Sequence, residues 1–277
     1  MKKHLFSAIT AATMAAVTGL TLTACDGKTD GNGNCGQGGQ EISEVITQAQ
    51  WNAAFGVENF LRDAKIVYTQ VAQDMTQKNE LRLGGDACGS HYVKNTFTRN
   101  GVKESESEEV VIVGDEYTDN YYKYSDNDSG SFAEGEWNYH MGDAHDYAAN
   151  DYELWKSYVL DNVDYDYFGK VAERYADFVY GADKFTYNGG ADIVLLSEHE
   201  EDGGATLDSS LTANDVAVTI SDGKLSSVTM TCKYIEELTG AGDEDYSENI
   251  DFTVTYAFTY APQAIEAPEG VKPMRRG

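Results

Sequence analysis

The clearest pattern in the chain is a strict alternation of large apolar side chains with smaller or more polar ones towards the C-terminal end. Val216, Val218 and Ile220 alternate up to Ser221-Asp222-Gly223-Lys224, and Val228, Met230, Cys232 and Tyr234 then alternate with Thr229, Thr231 and Lys233. Asp-Gly is a favoured type I′ pair, so the two runs predict a β-hairpin. Farther on, Ile250, Phe252, Val254, Tyr256, Phe258 and Tyr260 share one face, while Asp251, Thr253, Thr255, Ala257 and Thr259 share the other. Such a sheet buries one face and wets the other. A slip of one residue would invert the whole set, so the register is expected to be firm.

The same period of two governs the first half of the chain. Ala64, Ile66 and Tyr68 alternate with Lys65, Val67 and Thr69, and strand-like runs follow at 80–83, 91–98, 109–113, 117–124 and 135–141. Turn-rich stretches separate them, among them Arg99-Asn100-Gly101 and 125–130, so these runs predict an antiparallel meander. Its acidic hairpin tips discourage edge-to-edge association. Shorter runs at 178–180, 184–187 and 193–197 continue the sheet. Pro262, Pro268 and Pro273 are the only prolines and all lie beyond the last strand, which suits long uninterrupted ladders.

Three segments change the period to that of a helix. Thr47-Gln48-Ala49-Gln50 spells a capping box, Trp51 and Phe55 follow one turn apart, and Gly56 is expected to end the helix in the left-handed conformation. Asn150 with Glu153 forms a second candidate capping box ahead of Leu154, Trp155, Tyr158 and Val159. After Asp164, a candidate cap, Phe168, Val171 and Tyr175 recur at helical spacing. The expected fold class is therefore α+β, with one short N-terminal helix and about two central helices against a large antiparallel sheet.

Composition adds a strong constraint. The chain carries 47 Asp+Glu against 20 Lys+Arg, a formal net charge of −27. A field of that sign repels phosphate backbones and anionic headgroups, which argues against nucleic acid as a partner. At the other end of the chain, Lys2 and Lys3 precede an apolar run from Leu5 to Leu22 with small residues after it, the layout of a secretory signal. Residues 26–40 are mostly Gly, Asp, Asn and Gln, too polar to order themselves, and read as a tether. The boundaries predicted are a leader over 1–24, a linker over 25–40, one domain over 41–270 and a frayed tail over 271–277.

Searches for chemistry return little. The chain contains no Gly-x-Ser-x-Gly, His-Glu-x-x-His or Gly-x-x-x-x-Gly-Lys-Ser/Thr sequence, and its one Ser-x-x-Lys, Ser221 to Lys224, is the turn already assigned to the hairpin, so neither an enzyme nor a cofactor is expected. A carboxylate pair of the kind used in glycoside hydrolysis is the alternative that an acidic surface leaves open. Ser125, Asn127, Ser129, Gly130 and Glu136 imitate a calcium loop without its first aspartate, and Asp243, Glu244, Asp245 and Glu248 form a second acidic loop. His140 and His145, with Asp143 and Asp146, fit a polar loop better than a metal cluster, so no metal is expected. Cys35 lies in the tether, while Cys88 and Cys232 bridge if their strands meet and are otherwise small buried thiols. Tyrosine is abundant, and Tyr117, Tyr121, Tyr122 and Tyr124 fall in one strand. An apolar ring with a polar tip suits a half-buried strand or a recognition surface.

Two resemblances sharpen the picture. Leu22-Thr23-Ala24-Cys25 resembles the lipobox of bacterial prolipoproteins, which implies diacylglycerol on Cys25 and, with further acylation such as palmitate, a lipid-anchored protein on the extracytoplasmic side of a bacterial membrane. The order of lipobox, tether, short helix with Trp51, antiparallel strands, two helices and a closing meander is similar to that of the LolA/LppX-type superfamily. So is the ending, Ser221-Asp222-Gly223-Lys224-Leu225 between long strands and then Ala264-Ile265-Glu266-Ala267-Pro268. That resemblance implies a half-barrel, an incomplete and strongly curved sheet with helices on its concave face, that shelters a lipid-like ligand without covalent chemistry. The expected wall is Val228, Met230, Val254, Tyr256 and Phe258 from the sheet, with Trp155 and Phe168 from the helices. The alternative is a structural or interaction lipoprotein in which the same residues are packed core and the partner is another envelope protein.

Overall fold

The computed structural model describes residues 40–85, 89–114, 117–127, 132–143, 152–163, 165–202, 205–240 and 246–272. The leader, Cys25, Cys35, Cys88, His145 and the acidic run 241–245 lie outside them, as do Asn150 and Asp164.

The architecture is α+β and dominated by a large, curved antiparallel sheet. The N-terminal half supplies β1 (Gln40–Glu41), β2 (Ala64–Ala72), β3 (Met75–Leu83), β4 (His91–Arg99), β5 (Val102–Val113), β6 (Tyr117–Asp126) and β7 (Asn138–Asp143). The C-terminal half supplies β8 (Phe178–Gly181), β9 (Lys184–Tyr187), β10 (Ile193–Asp202), β11 (Ala205–Ser221), β12 (Lys224–Thr239) and β13 (Tyr246–Tyr260). The order is β1-β8-β9-β11-β12-β13-β2-β3-β4-β5-β6-β7, with β10 added on β11, and the sheet does not close on itself. Among the described residues three α-helices accompany it: α1 (Gln48–Ala54), α2 (Tyr152–Asn162) and α3 (Tyr165–Ala172).

The alternating residues of β12 and β13 pair with their apolar faces matched, Val228 opposite Tyr256 and Met230 opposite Val254. Asp222 and Gly223 both have positive φ, 51° and 75°, as a type I′ turn requires. The face carrying Tyr256 and Phe258, called here the inner face, holds the core. Phe168 of α3 meets the Tyr256 ring at 4.6 Å and the Phe258 ring at 5.8 Å. Trp155 of α2 donates its indole N–H to the Leu61 carbonyl at 3.1 Å. Trp51 of α1 donates its own to Ala172 at 3.1 Å and packs on Phe178 and Phe185. Each large side chain so buried contributes about 1.5–3 kcal/mol.

Helix α1 starts as its sequence dictates. Gln50 N–H donates to Thr47 Oγ1 at 3.3 Å and Thr47 N–H donates to Gln50 Oε1 at 3.0 Å, so both halves of the capping box form. Thr47→Ala is expected to cost about 1 kcal/mol, measured as a lower urea midpoint with an unchanged slope. The end of α1 differs from expectation. Gly56 is extended, at φ −60° and ψ 128°, and the last carbonyls are capped from the side by Asn59, whose amide donates to Ala53 at 2.7 Å and Ala54 at 3.3 Å. A Cβ on Gly56 would lie 3.1 Å from the Ala53 oxygen, so close approach is what selects glycine here. Helix α3 likewise ends at Ala172, before Tyr175, which sits in a short 3-10 turn and donates its hydroxyl to the Ile46 carbonyl at 2.6 Å.

Several strands are longer than their apolar runs. β5 includes Lys103 to Glu108, whose outward-facing charges are paired across the sheet: Lys94–Glu106 at 3.1 Å, Lys103–Glu106 at 3.0 Å and Lys123–Glu108 at 2.9 Å. The segment after β6 folds back over this ladder, placing Phe132 above Lys103 and Trp137 above Lys123. Burial alone would raise the Glu106 and Glu108 carboxyls, but hydrogen bonds from these lysines, and from Tyr92 to Glu108, outweigh it and hold both below the usual carboxylate range. In β11 the polar stretch 205–215 pairs with β10 and β12 ahead of a bulge at Asn214 to Ala217, where Asp215 has φ 46°.

Candidate functional site

Strand register divides the inner face of β2 to β6 into two zones. At one end Ala64, Ile66, Leu81, Leu83, Val93 and Val111 alternate inward and are buried. At the other end the inward positions become amides and hydroxyls: Gln70 opposite Gln77, Asn79 opposite Asn95, and Asn95 opposite Ser107. Cross-strand hydrogen bonds fix them in a row. Asn79 donates to Asn95 Oδ1 at 2.8 Å and Asn95 donates to Ser107 Oγ at 3.3 Å; within β2 the Tyr68 hydroxyl donates to Gln70 Oε1.

A groove of about 260 Å³ lies over this polar zone, lined by Gln70, Ala72, Met75, Gln77, Asn95, Thr96, Phe97, Ser105, Ser107 and Tyr124. Strands about 4.8 Å apart, with same-face residues about 7 Å apart along each, set a rigid grid of polar groups. Phe97 lies opposite Ser105, and Tyr124 opposite Ser107, so rings interleave with the small polar residues. No side chain in the lining carries a charge. Beyond its end, at the hairpin tips, Arg99 lies against Phe97 and Met75, the second of which it faces in register, and the Asn100 N–H donates to the Asp74 carbonyl at 2.7 Å. Arg99 Nε and Asp74 Oδ1 are each buried without a hydrogen-bond partner, places where ordered water is the usual solution.

The seven wall residues expected from the sequence are brought together, but elsewhere. Trp155, Phe168, Val228, Met230, Val254, Tyr256 and Phe258 are all at most 7% exposed and belong to one core cluster. They touch one another and none lines the groove. Cys232 faces the same core, where burial pushes its thiol up to about 12. Its candidate disulfide partner Cys88 lies outside the described residues, as do Ser129, Gly130, His145 and Asp146 of the calcium-like and histidine-containing loops. Among the described residues, no group of three or more His, Cys, Asp or Glu is arranged to hold a metal ion, and no helix is long and apolar enough to cross a membrane.

Sequence reasoning missed the groove, although a signal existed. Asn is depleted in strands, yet Asn79 and Asn95 fall on the inward parity of two strands whose inward residues include Leu81, Leu83 and Val93. Of the four clustered tyrosines, Tyr121 is buried, while Tyr117, Tyr122 and Tyr124 are exposed; Tyr124 lines the groove and Tyr122 stands next to it on the same face.

His91 was also missed. It is 2% exposed, with Nδ1–H directed at the Gly89 carbonyl and Nε2 accepting from the Tyr158 hydroxyl at 3.1 Å. Burial lowers its pKa to about 4, against the hydrogen bond to Gly89, which favours protonation. It is a neutral strut between β4 and α2. A scan of protein-family models finds none that matches this chain, and a search of curated proteins returns no match.

Proposed function

We propose that the protein is a lipid-anchored, extracytoplasmic binding module that recognises its ligand non-covalently on the polar zone of the inner sheet face. The observation that carries the reading is the groove: a preformed, largely apolar concavity with a few uncharged polar groups on a rigid sheet, the usual composition of a small-molecule site. The leader, the lipobox-like Leu22-Thr23-Ala24-Cys25 and the polar tether support the anchoring. The half-barrel with helices on its concave side belongs to the same proposal. It gives the core side chains Trp155, Phe168, Tyr256 and Phe258 a structural role, supporting the sheet from which the groove is built.

The test is a fragment screen followed in amide NMR spectra of the mature chain. Hits are expected to shift Gln70, Gln77, Asn95, Phe97 and Ser107. Hits confined to Val228, Met230, Val254 and the helices would instead support a hydrophobic ligand between sheet and helices, and absence of any hit would overturn the binding module. Anchoring is tested separately. Cys25→Ser is expected to abolish acyl labelling and release the chain from the membrane fraction, and continued membrane partitioning would overturn it.

A further inference from the structure

We infer that the groove on β2 to β6 takes a neutral saccharide. The inference rests on the binding-face reading above and names the ligand class for it.

An anion needs a cation in the lining, and there is none; Arg99 lies beyond the groove's end against Phe97 and Met75, and the chain as a whole carries −27. A cation needs a carboxylate in the lining, which is equally lacking. An acyl chain would bury the Gln77 amide and the Ser105 hydroxyl, which have no internal partner among the described residues, against hydrocarbon, and each polar group left so costs about 1–3 kcal/mol. A neutral polyhydroxyl ligand avoids all three penalties.

The fit is chemical. A side-chain amide presents a donor and an acceptor side by side, and a sugar hydroxyl is both donor and acceptor, so neighbouring hydroxyls on a ring satisfy one amide in both directions. The row Asn79, Asn95 and Ser107 carries polar groups from strand to strand, and Gln77 and Ser105 stand in the next row on either side of Phe97. The Asn79–Asn95–Ser107 chain of hydrogen bonds holds the amides in orientation before any ligand arrives, which lowers the ordering cost of binding. Among the described residues the side chains of Gln77 and Ser105 have no internal partner, so their hydrogen bonds are available. The C–H face of a sugar ring needs a flat apolar surface, and Phe97 and Tyr124 flank the row, with Tyr122 two residues farther along the same face. Tyr122 and Tyr124 are 51% and 58% exposed. Large rings that stay half in water on an otherwise well-packed sheet are surface that a ligand can cover.

The experiment titrates the mature chain with cellobiose, N,N′-diacetylchitobiose, octanoate and an acetylated, amidated tripeptide, followed by amide NMR and calorimetry. At least one disaccharide is expected to shift the groove amides with saturation. Gln77→Leu is expected to weaken it roughly 3- to 10-fold, one lost hydrogen bond. Phe97→Leu is expected to weaken it by about 2- to 10-fold through the lost ring. Gln77 is exposed and makes no internal bond, so its substitution leaves the fold intact; thermal unfolding of each variant checks this. Groove shifts with octanoate or the tripeptide and none with either sugar would overturn the saccharide assignment while leaving the binding face standing. Sugar binding unaffected by both substitutions would overturn the site, and no shift with any ligand would overturn site and binding face together.

Discussion

Trp51→Ala is expected to remove about 3–5 kcal/mol of stability, with a further loss of about 1 kcal/mol or more from the Ala172 carbonyl that its indole N–H now satisfies at 3.1 Å. The size follows from position. Trp51 is fully buried, and its ring meets Phe55, Tyr175, Phe178 and Phe185 at centroid separations from 4.9 to 6.0 Å. It therefore ties a short helix, which could not persist alone, to the 3-10 turn before β8 and to the β8–β9 hairpin. Domains of this kind have about 5–15 kcal/mol in total, so the variant should sit near its unfolding transition at ambient temperature. Urea unfolding by far-ultraviolet circular dichroism is the measurement. Trp51→Phe, which keeps most of the ring and loses the hydrogen bond, should lose distinctly less. A loss below about 1 kcal/mol for the alanine variant, well under the usual core value, would mean that α1 lies outside the cooperative unit.

The second large effect depends on pH. His91 has a folded pKa of about 4 against an ordinary 6.5, so between those values the unfolded chain binds a proton that the folded chain refuses. Stability therefore falls as pH drops through 6.5 and stops falling from this cause below about 4. The full swing is about 3 kcal/mol from 1.36 kcal/mol per unit. Glu80, Glu106 and Glu108 have depressed pKa values, and their contribution is present above the ordinary carboxylate value and lost below it as pH falls through their folded values. The two causes separate in a difference experiment. Denaturation midpoints of the native chain and of His91→Gln, compared from pH 7.5 to 3.5, share the glutamate loss, so their difference isolates the imidazole. A flat difference would show that the ring is protonated as readily in the folded state as in the unfolded one.

The sequence made the C-terminal half of the sheet legible because there burial and alternation coincide. From Val228 to Tyr234 and from Phe252 to Phe258 every second residue faces the core, and the Asp222-Gly223 turn fixes how the first pair of strands meets. The capping box at Thr47 was legible for a similar reason, since all its partners lie within one turn. Where partners are distant in sequence the pattern fell silent. Lys103 to Glu108 looks like a solvated run until Lys94 and Lys123 arrive from neighbouring strands, and 205–215 extends as strand only because β10 and β12 flank it. The groove was hidden more deeply, because its polar residues occupy inward positions that alternation alone assigns to core. Which inward positions lie under helices and which lie open depends on where α2 and α3 come to rest. The wall residues named from the sequence do gather on one face, and they do so as a cluster buried together.

One pairing orders events during synthesis. β13 leaves the ribosome after every other described strand, and it lies between β12 and β2, joining Tyr260 to Ala64. Until it arrives, the early hairpins and the late hairpin are separate ribbons, each with a bare flank. Completing the sheet waits for contacts between residues far apart along the chain, which are slow to form. A chain halted before residue 246 would carry two adhesive edges in place of one finished sheet.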